Sequence, residues 1–365
     1  MNDQRLLQWL WFAEVMGVGA NTLPALSLYG SPGALLAARE YEDLSPIAGR
    51  AQRSRLHALE PEQMAPRLAR CRELGVRILT PDHEEYPVAF RLLENAPAVL
   101  YCTGDASALS STSMVGMVGS RRPSAYGRQA AQKIAGELAA AGVTIVSGMA
   151  DGLDSEAHKA ALEQGARTVA VMGTAPEVCY PASHAGLRRK IETQGAVLTE
   201  VPPDTRGGPR FFVLRNRLIA ALSDALCVVE AREGSGTMIT AGYAAKYGRP
   251  VFSVPGSIFS PLSEGTNQLL GKGAKPCTGA DCILRALGID PAPAASAPAS
   301  PPKLDAVQKQ VLAALGPTPK TMGQLSADTG LPAWQLAAAL TALELAGLAD
   351  QLAGRQYLLR GGAVL

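Results

Sequence analysis

The sequence predicts an α/β protein in which a doubly wound, mainly parallel sheet lies between an all-α N-terminal domain and a C-terminal winged-helix domain. Apolar runs alternate with amphipathic stretches over about 70–288, a pattern typical of a parallel sheet covered by helices on both faces. A Pro/Ala/Ser-rich stretch over 291–302 marks a linker, because such a composition does not bury a core. The residues after it are patterned as three helices and a hairpin.

The chain has 365 residues, which is enough for two or three domains. We predict domains at 1–66, 67–288 and 303–365, with the linker at 289–302. Six cysteines without a Cys-x-x-Cys motif favour free thiols over disulfides or zinc. No apolar run reaches about 18 residues, and the start lacks the layout of a signal peptide. We therefore expect a cytoplasmic protein that makes no membrane contact.

The first domain is predicted to be of the SAM-like or helix-hairpin-helix type. Glycine turns at 17–19 and 47–50 separate its helical segments, and turn amides of this kind can contact a phosphate. Residues 1–64 carry five Lys or Arg and seven Asp or Glu, so their net charge is −2. This charge favours a structural or interaction role over DNA binding.

In the central domain, continuous apolar runs are predicted to be strands, with helices such as 125–141 between them. In open parallel sheets, ligands bind beyond the carboxyl ends of the strands, so function is expected in the loops that follow them. The predicted strands are 76–79, 98–102, 114–118, 143–147, 168–172, 196–199, 225–229 and 250–254.

Four of these loops are rich in glycine and small polar residues. A short polar loop that opens a helix favours an anion through its backbone amides and the helix dipole, and an arginine can add a bidentate phosphate contact. The alternative for that arginine is a surface position in a tight turn. The first loop lacks the Gly-x-Gly-x-x-Gly fingerprint of a dinucleotide site. The candidate residues are Gly119, Ser120, Arg121, Ser147, Gly148, Gly173, Gly234, Ser235, Gly236 and Thr237.

A cationic and aromatic segment precedes the strand predicted at 225–229. Residues 188–217 carry seven basic and three acidic side chains, in a chain whose net charge is only +2. An aromatic ring beside cationic groups is typical of a nucleotide or nucleic-acid site, and a solvated helix face is the alternative. The candidates in this segment are Arg210, Phe212, Arg215, Asn216 and Arg217.

Acidic residues and a histidine also follow the predicted strands. Asp151, Asp154 and His158 suggest a metal site, but the spacing of the last two at a helix start favours a capping carboxylate and a bonded histidine. Glu200 and Glu230 at strand ends suggest a catalytic pair. We expect them instead to hold loop amides or the two arginines, because no nucleophile accompanies them. We predict no metal, no cofactor and no catalytic residue.

The C-terminal domain is predicted to contain helices at 304–315, 321–329 and 333–346 and a hairpin over 347–359. This order resembles a winged helix, whose third helix enters a DNA groove. Here the third helix offers Gln335, Thr341 and Glu344 rather than arginines, which favours a partner-binding or weakly DNA-contacting domain. Its apolar stripe is predicted to consist of Leu336, Leu340, Leu343 and Leu345.

Three segments, at 118–127, 147–158 and 215–217, strongly resemble motifs of the bacterial DNA-processing protein A (Smf) family, and the match covers about 80–275. Further matching segments are 230–237, 255–256, 265–267 and 273–274. The resemblance implies an extended Rossmann-like core that binds single-stranded DNA and dimerises, with a SAM-like head and, in some members, a winged-helix tail. It also implies a role in receiving and protecting transforming DNA and in loading the RecA recombinase.

The resemblance assigns roles to individual residues. The strand-binding arginine of the family falls on Arg121, and the stacking aromatic falls on Phe212. Some members carry a lysine three residues before that aromatic; this chain has Pro209 there, and Arg210 is a candidate for the missing charge. The chain also departs from the family in having Val213 after the aromatic and Thr199 before Glu200. The family dimer interface falls near Leu269, Leu270 and Pro276.

The predicted function is therefore that of a non-enzymatic, single-stranded-DNA-binding recombination mediator that forms a homodimer. The main alternative is a nucleotide-binding or nucleotide-hydrolysing enzyme of the lysine-decarboxylase-like (phosphoribohydrolase) class, which has the same kind of sheet and Gly-Thr loop. Those enzymes place a catalytic glutamate shortly after that loop, whereas here no carboxylate follows Thr237 before Glu264. A scaffold with a vestigial pocket is a further alternative.

Overall fold

The computed structural model describes residues 2–290, 304–316, 318–352 and 354–359. Of the linker predicted at 289–302, residues 291–302 lie outside the described residues. No helix in the described part of the chain has the length and hydrophobicity needed to span a membrane. Separate clusters of buried side chains occupy the N-terminal region, the two faces of a central sheet, and the C-terminal region.

The N-terminal region is helical, as predicted. Its core forms around the first helix, which buries Trp9, Trp11 and Phe12 and is capped by the Asn2 side chain, which accepts a hydrogen bond from the Arg5 amide. The same cluster includes Val99 of the central region, so these helices pack against the edge of the sheet. The helices are α1 Asp3–Met16, α2 Leu23–Tyr29, α3 Pro32–Ala38, α4 Arg50–Ala58, a 3-10 turn at Pro61–Met64, and α5 Ala65–Glu73.

Within the described residues, nine strands form the central sheet in the order β1-β2-β6-β5-β4-β3-β7-β8-β9. From β6 to β9 neighbouring strands are parallel, whereas β2 is antiparallel to both β1 and β6. The mainly parallel sheet is confirmed. The strands are β1 Arg77–Leu79, β2 Leu100–Gly104, β3 Met114–Val118, β4 Thr144–Ser147, β5 Thr168–Met172, β6 Ala196–Thr199, β7 Ala225–Val228, β8 Val251–Ser253 and β9 Lys275–Pro276.

Helices cover both faces of this sheet. One face packs against α10 and α11, and the other against α7, α8 and α13. The strand order reverses at β3, which has β4 on one side and β7 on the other, and this leaves a crevice beyond its carboxyl end. The helices are α6 Val88–Arg91, α7 Ala125–Ala140, α8 Leu153–Glu163, α9 Ala185–Gln194, α10 Pro209–Leu222, α11 Gly236–Lys246, α12 Glu264–Gly271 and α13 Ala280–Ala286, with 3-10 turns at Ala106–Ser110 and Ala182–His184.

The C-terminal region has the predicted order of a winged helix. Leu336, Leu340 and Leu343 are buried in its core, as predicted. Leu345 is 85% exposed, so the prediction that it belongs to the apolar stripe is wrong. Leu345 lies two positions after Leu343 on the helix, so its side chain is rotated about 200° around the axis and points away from the core. The elements are α14 Ala306–Ala314, β10 Lys320–Thr321, α15 Met322–Thr329, α16 Ala333–Leu345, β11 Ala349–Leu352 and β12 Gln356–Leu359.

Candidate nucleic-acid interface

A cavity of about 270 Å³ lies in the crevice beyond the carboxyl end of β3, where the topology predicts a ligand site. Its walls come from the loops after β3, β4 and β7, from the first turns of α8 and α11, and from residues 212–219 of α10. The structure therefore brings together residues that are more than a hundred positions apart in the chain. The predicted site residues that line it are Gly119, Ser120, Arg121, Phe212, Arg215, Asn216, Ser235, Gly236 and Thr237.

The loop after β3 is held by Glu230, which follows β7. The Glu230 carboxylate accepts hydrogen bonds from the Ser124 amide and hydroxyl, and its backbone oxygen accepts one from the Ser120 amide at 2.9 Å. Ser124 in turn caps α7 by accepting from the Gly127 amide at 3.0 Å. The expectation that Glu230 holds loop amides is confirmed.

A second set of bonds ties the loop after β7 to the rest of the cavity wall. The Thr237 hydroxyl donates to the backbone oxygen of Gly119 at 3.2 Å, and the Asn216 side-chain amide donates to the backbone oxygen of Gly236 at 3.2 Å. Gly234 has a φ of +69°, which allows the turn before α11 at no steric cost. The loop amides at the start of α11 are thereby held in place at the cavity.

Arg121 and Phe212 form the outer rim of the cavity. The exposed Arg121 guanidinium carbon lies 5.9 Å from the centre of the Phe212 ring, within the range of a cation–π contact. Phe212 is half-buried, which leaves part of its ring open to a ligand. Arg210 is exposed but lies 4.6 Å above the ring of Phe211, and it does not line the cavity. A cation and an aromatic ring therefore meet where a nucleotide can be both stacked and neutralised.

Arg215 lies at the floor of the cavity and is 6% exposed. One of its terminal nitrogens donates to the backbone oxygen of Val171, and among the described residues its Nε has no hydrogen-bond partner. Burial lowers the pKa of Arg215 to about 10, while the nearby charge of Asp154 acts in the opposite direction. The guanidinium is thus charged at neutral pH, and it has unused hydrogen-bonding capacity.

Gly148 and Gly173 make room for this arrangement. A side chain at Gly148 would collide with the Arg215 guanidinium, and a Cβ at Gly173 would lie 2.9 Å from the Cα of Phe212. Both glycines were candidates for close contact with a ligand, but neither lines the cavity, and each sits beneath a residue of α10. The Ser147 hydroxyl is also buried and donates to the backbone oxygen of Met117. These three residues support the site from below.

Arg217 does not reach the cavity, which corrects its prediction as a residue of the nucleic-acid site. Its side chain is 0% exposed and donates to Glu200 Oε2 at 2.7 Å and to the backbone oxygen of Asn95 at 3.0 Å. Glu200 Oε1 also accepts from the Gly19 amide at 3.0 Å. The expectation that Glu200 holds an arginine is confirmed, and the pair links α10 to the N-terminal region.

His158 is bonded as predicted, but Asp154 is not the predicted cap: Gly152 is the N-cap of α8, and no side chain caps that helix. The Asp154 carboxylate accepts from the Gly148 amide at 3.2 Å, and burial raises its pKa. His158 shares a 2.7 Å hydrogen bond with the Thr168 hydroxyl, and burial lowers its pKa to about 3, so the ring is neutral. Among the described residues, no group of three or more His, Cys, Asp or Glu is placed to hold a metal.

Two family models match the chain. The model of DNA recombination-mediator protein A matches residues 77–288, and the DprA winged-helix model matches 295–355. The curated Bacillus subtilis DNA processing protein DprA is 35% identical over 251 residues, covering 67% of this chain and 84% of that protein. The chain belongs to the DNA recombination-mediator protein A family.

Solved structures of the DprA family share this fold. The structure of DNA processing protein A from Streptococcus pneumoniae matches with a TM-score of 0.65 and 28% identity, covering 78% of this chain and 98% of that one. The protein from Helicobacter pylori, described for its unique single-stranded DNA binding mode, matches with a TM-score of 0.53 and 34% identity over 58% of this chain and 95% of that one. The predicted fold is that of this family.

The residues predicted for a DprA-type dimer lie at one edge of the sheet. Pro276 is exposed on β9, the last strand in the sheet order. Leu269 and Leu270 are half-buried on α12, and Leu269 packs against the sheet core. An unpaired edge strand is a surface on which a second sheet can pair. The dimer interface itself stays a prediction.

Sequence reasoning missed several residues that line the cavity. Arg232 is exposed in the loop after β7, and its charge beside Glu230 within a glycine-rich segment was a usable signal. Thr240 and Ile219 line the inner wall from α11 and α10. No local sequence signal marks these two, because their helices reach the cavity only through tertiary packing.

Proposed function

We propose that this chain is a non-enzymatic mediator of recombination that binds single-stranded DNA, protects it and helps to load RecA recombinase during transformation or repair. The observation that carries the proposal is the Arg121–Phe212 pair at the mouth of a cavity lined by loop amides. Family membership adds to it, because the Helicobacter pylori relative is described as binding single-stranded DNA.

The cavity favours a strand over a duplex for a geometric reason. A base that stacks on Phe212 must expose its face, and in a duplex that face is covered by the neighbouring base pairs. Stacking contributes about 1–3 kcal/mol per base and does not select sequence, because every base has a π-face. We therefore infer that a strand of any sequence binds with its bases towards Phe212 and its phosphates towards Arg121 and the loop amides.

The proposal divides the predicted site residues into three roles. The cavity-lining residues contact the strand directly: Gly119, Ser120, Arg121, Phe212, Arg215, Asn216, Ser235, Gly236 and Thr237. Ser147, Gly148, Gly173 and Gly234 position those residues, and Arg217 acts only through the placement of α10. Arg210 lies beside the site, where its charge attracts the strand without entering the cavity.

The composition of the cavity disfavours nucleotide hydrolysis. Within the described lining, Asp154 is the only carboxylate, and it already accepts a backbone hydrogen bond beneath Arg215. General acid–base catalysis requires a group that can exchange a proton with the substrate. Burial raises the pKa of Asp154, but the lining contains no second carboxylate to act with it. We therefore favour a binding protein over the phosphoribohydrolase alternative.

We also propose that the protein acts as a homodimer in the cytoplasm, through the edge that carries Leu269, Leu270 and Pro276. Each cavity is small, so two cavities on one strand would raise the overall affinity through avidity. A bound and partly covered strand is then available to RecA. A RecA-driven strand-exchange assay on DNA coated with single-strand-binding protein tests this step, and we expect a faster reaction when the protein is present.

The primary test is fluorescence anisotropy with matched single- and double-stranded oligonucleotides over a range of salt concentrations. We expect preference for the single strand, weaker binding as salt increases, and no displacement by nucleoside monophosphates. Equal affinity for the duplex, or displacement by a low concentration of monophosphate, would instead support a small-nucleotide protein on the same fold.

A further inference from the structure

A second aromatic ring, that of Tyr180, stands beside Phe212, and Tyr180 was not among the predicted site residues. The ring centres of Tyr180 and Phe212 are 5.1 Å apart, with 51° between the planes, and Tyr180 is 46% exposed. We propose that Tyr180 is a second base-stacking residue, so that the site holds two neighbouring bases. This inference rests on the proposed function, because it requires that a single strand binds at Phe212.

The loop that carries Tyr180 is fixed by its own hydrogen bonds. The Thr174 hydroxyl donates to the backbone oxygen of Val178 at 2.9 Å, and an Arg188 side-chain nitrogen donates to that of Pro176. At its far end, His184 Nδ1 lies 3.0 Å from the backbone oxygen of Met149. Because both ends of the loop are held, the ring is presented in one place, and little entropy is lost when a base stacks on it.

The surroundings of Tyr180 favour a ligand contact over a packing role. A tyrosine that serves the core is buried, as Tyr86 and Tyr101 are in this protein, whereas nearly half of Tyr180 faces solvent. Its hydroxyl makes no hydrogen bond with the part of the chain that the structure describes, so the aromatic ring is the group available for contact with a ligand. The two rings are tilted by 51° rather than stacked face to face, so neither ring covers a full face of the other.

The order of groups along the rim defines a path for the strand. Arg121, Phe212 and Tyr180 follow one another from the loop after β3 to the loop after β5, as a cation and two rings. Helix α9 begins five residues after Tyr180 and carries the exposed side chains of Arg189 and Lys190. A strand that leaves the cavity over Tyr180 therefore meets further positive charge for its phosphates.

Binding measurements on matched variants test the proposal. We expect Tyr180→Ala to weaken binding of a short oligothymidylate roughly 5- to 150-fold, the range for loss of one stacked base. Tyr180→Phe should stay within about twofold of the wild type, because the ring is retained. The dependence of affinity on salt should be unchanged, since no phosphate contact is lost. Tyr41→Ala is the matched control, because Tyr41 is 89% exposed in the N-terminal region.

Photochemical cross-linking distinguishes a direct contact from an effect through Phe212. An oligonucleotide containing 5-iodouracil is irradiated in complex with the full chain, and the modified peptides are identified by mass spectrometry. Adducts at both Tyr180 and Phe212, with the Phe212 adduct retained in Tyr180→Leu, would support the proposal. Adducts at Phe212 alone would overturn it.

The outcomes also separate this proposal from the function on which it rests. Loss of affinity in Phe212→Ala together with full affinity in Tyr180→Ala would overturn the role of Tyr180 and leave strand binding intact. Loss of affinity in Tyr180→Phe as large as in Tyr180→Ala would likewise overturn stacking. A wild-type protein that binds no oligonucleotide would overturn the proposed function itself.

Discussion

The exposed arginine on the rim of the cavity and the two buried arginines of α10 have opposite surroundings. On the rim, Arg121 is exposed and lies over an aromatic ring, whereas Arg215 and Arg217 on α10 are buried among backbone oxygens and carboxylates. The two buried arginines also point in different directions, because side chains two positions apart on a helix are separated by about 200° around its axis. Arg215 consequently faces the cavity, and Arg217 faces the N-terminal region. A cationic motif in a sequence thus does not say which of its charges a ligand can reach.

The strongest way to test this contrast is to remove the buried charge of Arg217. In Arg217→Met, Glu200 keeps a buried charge without its partner, and we expect the free energy of unfolding to fall by about 3–5 kcal/mol. Urea denaturation measures the change. Arg189→Met is the control, because Arg189 is exposed, and its effect should stay within about 0.5 kcal/mol.

A double variant sharpens the assignment to the ion pair. Glu200→Leu combined with Arg217→Met removes both charges, so much of the lost stability should return. The recovery is incomplete, because the Gly19 amide loses its acceptor. A double variant that is less stable than Arg217→Met would show that the pair is not the source of the effect.

The next effect concerns the glycine beneath Arg215. Gly148→Ala introduces a Cβ into the Arg215 guanidinium, and we expect a loss of about 1–3 kcal/mol in unfolding free energy. Strand affinity should fall too, because Arg215 is displaced at the floor of the cavity. Denaturation and anisotropy on the same samples measure both quantities.

Gly136→Ala provides the matched comparison for this variant. Gly136 lies within α7, and an added Cβ there meets nothing within 4 Å. The substitution should increase stability by up to about 1 kcal/mol through helix propensity, with no change in strand affinity. Similar behaviour of the two alanine variants would contradict the steric role of Gly148.

On the rim, the expected effect is on binding alone. Arg121→Ala removes an exposed charge, so the unfolding free energy should change by less than about 0.5 kcal/mol. Binding should weaken by about 1.5–3 kcal/mol, and the salt slope should become shallower by about 0.7 for one lost phosphate contact. Arg122→Ala is the control, since the Arg122 side chain is adjacent in the sequence and exposed but does not line the cavity.

The smallest expected effect comes from removing the winged-helix domain. A chain that ends before residue 303 keeps every residue that lines the cavity, so we expect oligonucleotide affinity to change by less than about threefold, or about 0.65 kcal/mol. Anisotropy with the same oligonucleotide checks this. Loss of strand binding in the truncated chain would place part of the interface on the C-terminal domain, whose Trp334 on α16 is 70% exposed.

Much of the central fold was predictable because its strands are continuous apolar runs. β3, β5 and β6 begin and end at the predicted residues, since each is buried on both faces and bounded by polar or glycine residues. β9 was missed because it has two residues and depends on pairing with β8. The antiparallel direction of β2 could not be predicted from the sequence either, because an apolar run looks the same in parallel and antiparallel pairing.

By itself, the sequence determined which segments form strands and helices and which loops gather at one edge of the sheet. These properties follow from local periodicity and from the rule that the carboxyl ends of parallel strands share an edge. It also made Arg121 and Phe212 site candidates, through their positions in a polar loop and a cationic segment and through the family resemblance.

Only the tertiary structure decided what Arg217, Gly148 and Tyr180 do. Arg217 is buried against Glu200, to which it donates a hydrogen bond. Gly148 leaves the space that the Arg215 guanidinium occupies, and the proposed role of Tyr180 depends on its closeness to Phe212. Each property depends on a partner more than 15 residues away in the chain. Burial and contact are relations between distant segments, so local sequence patterns do not contain them.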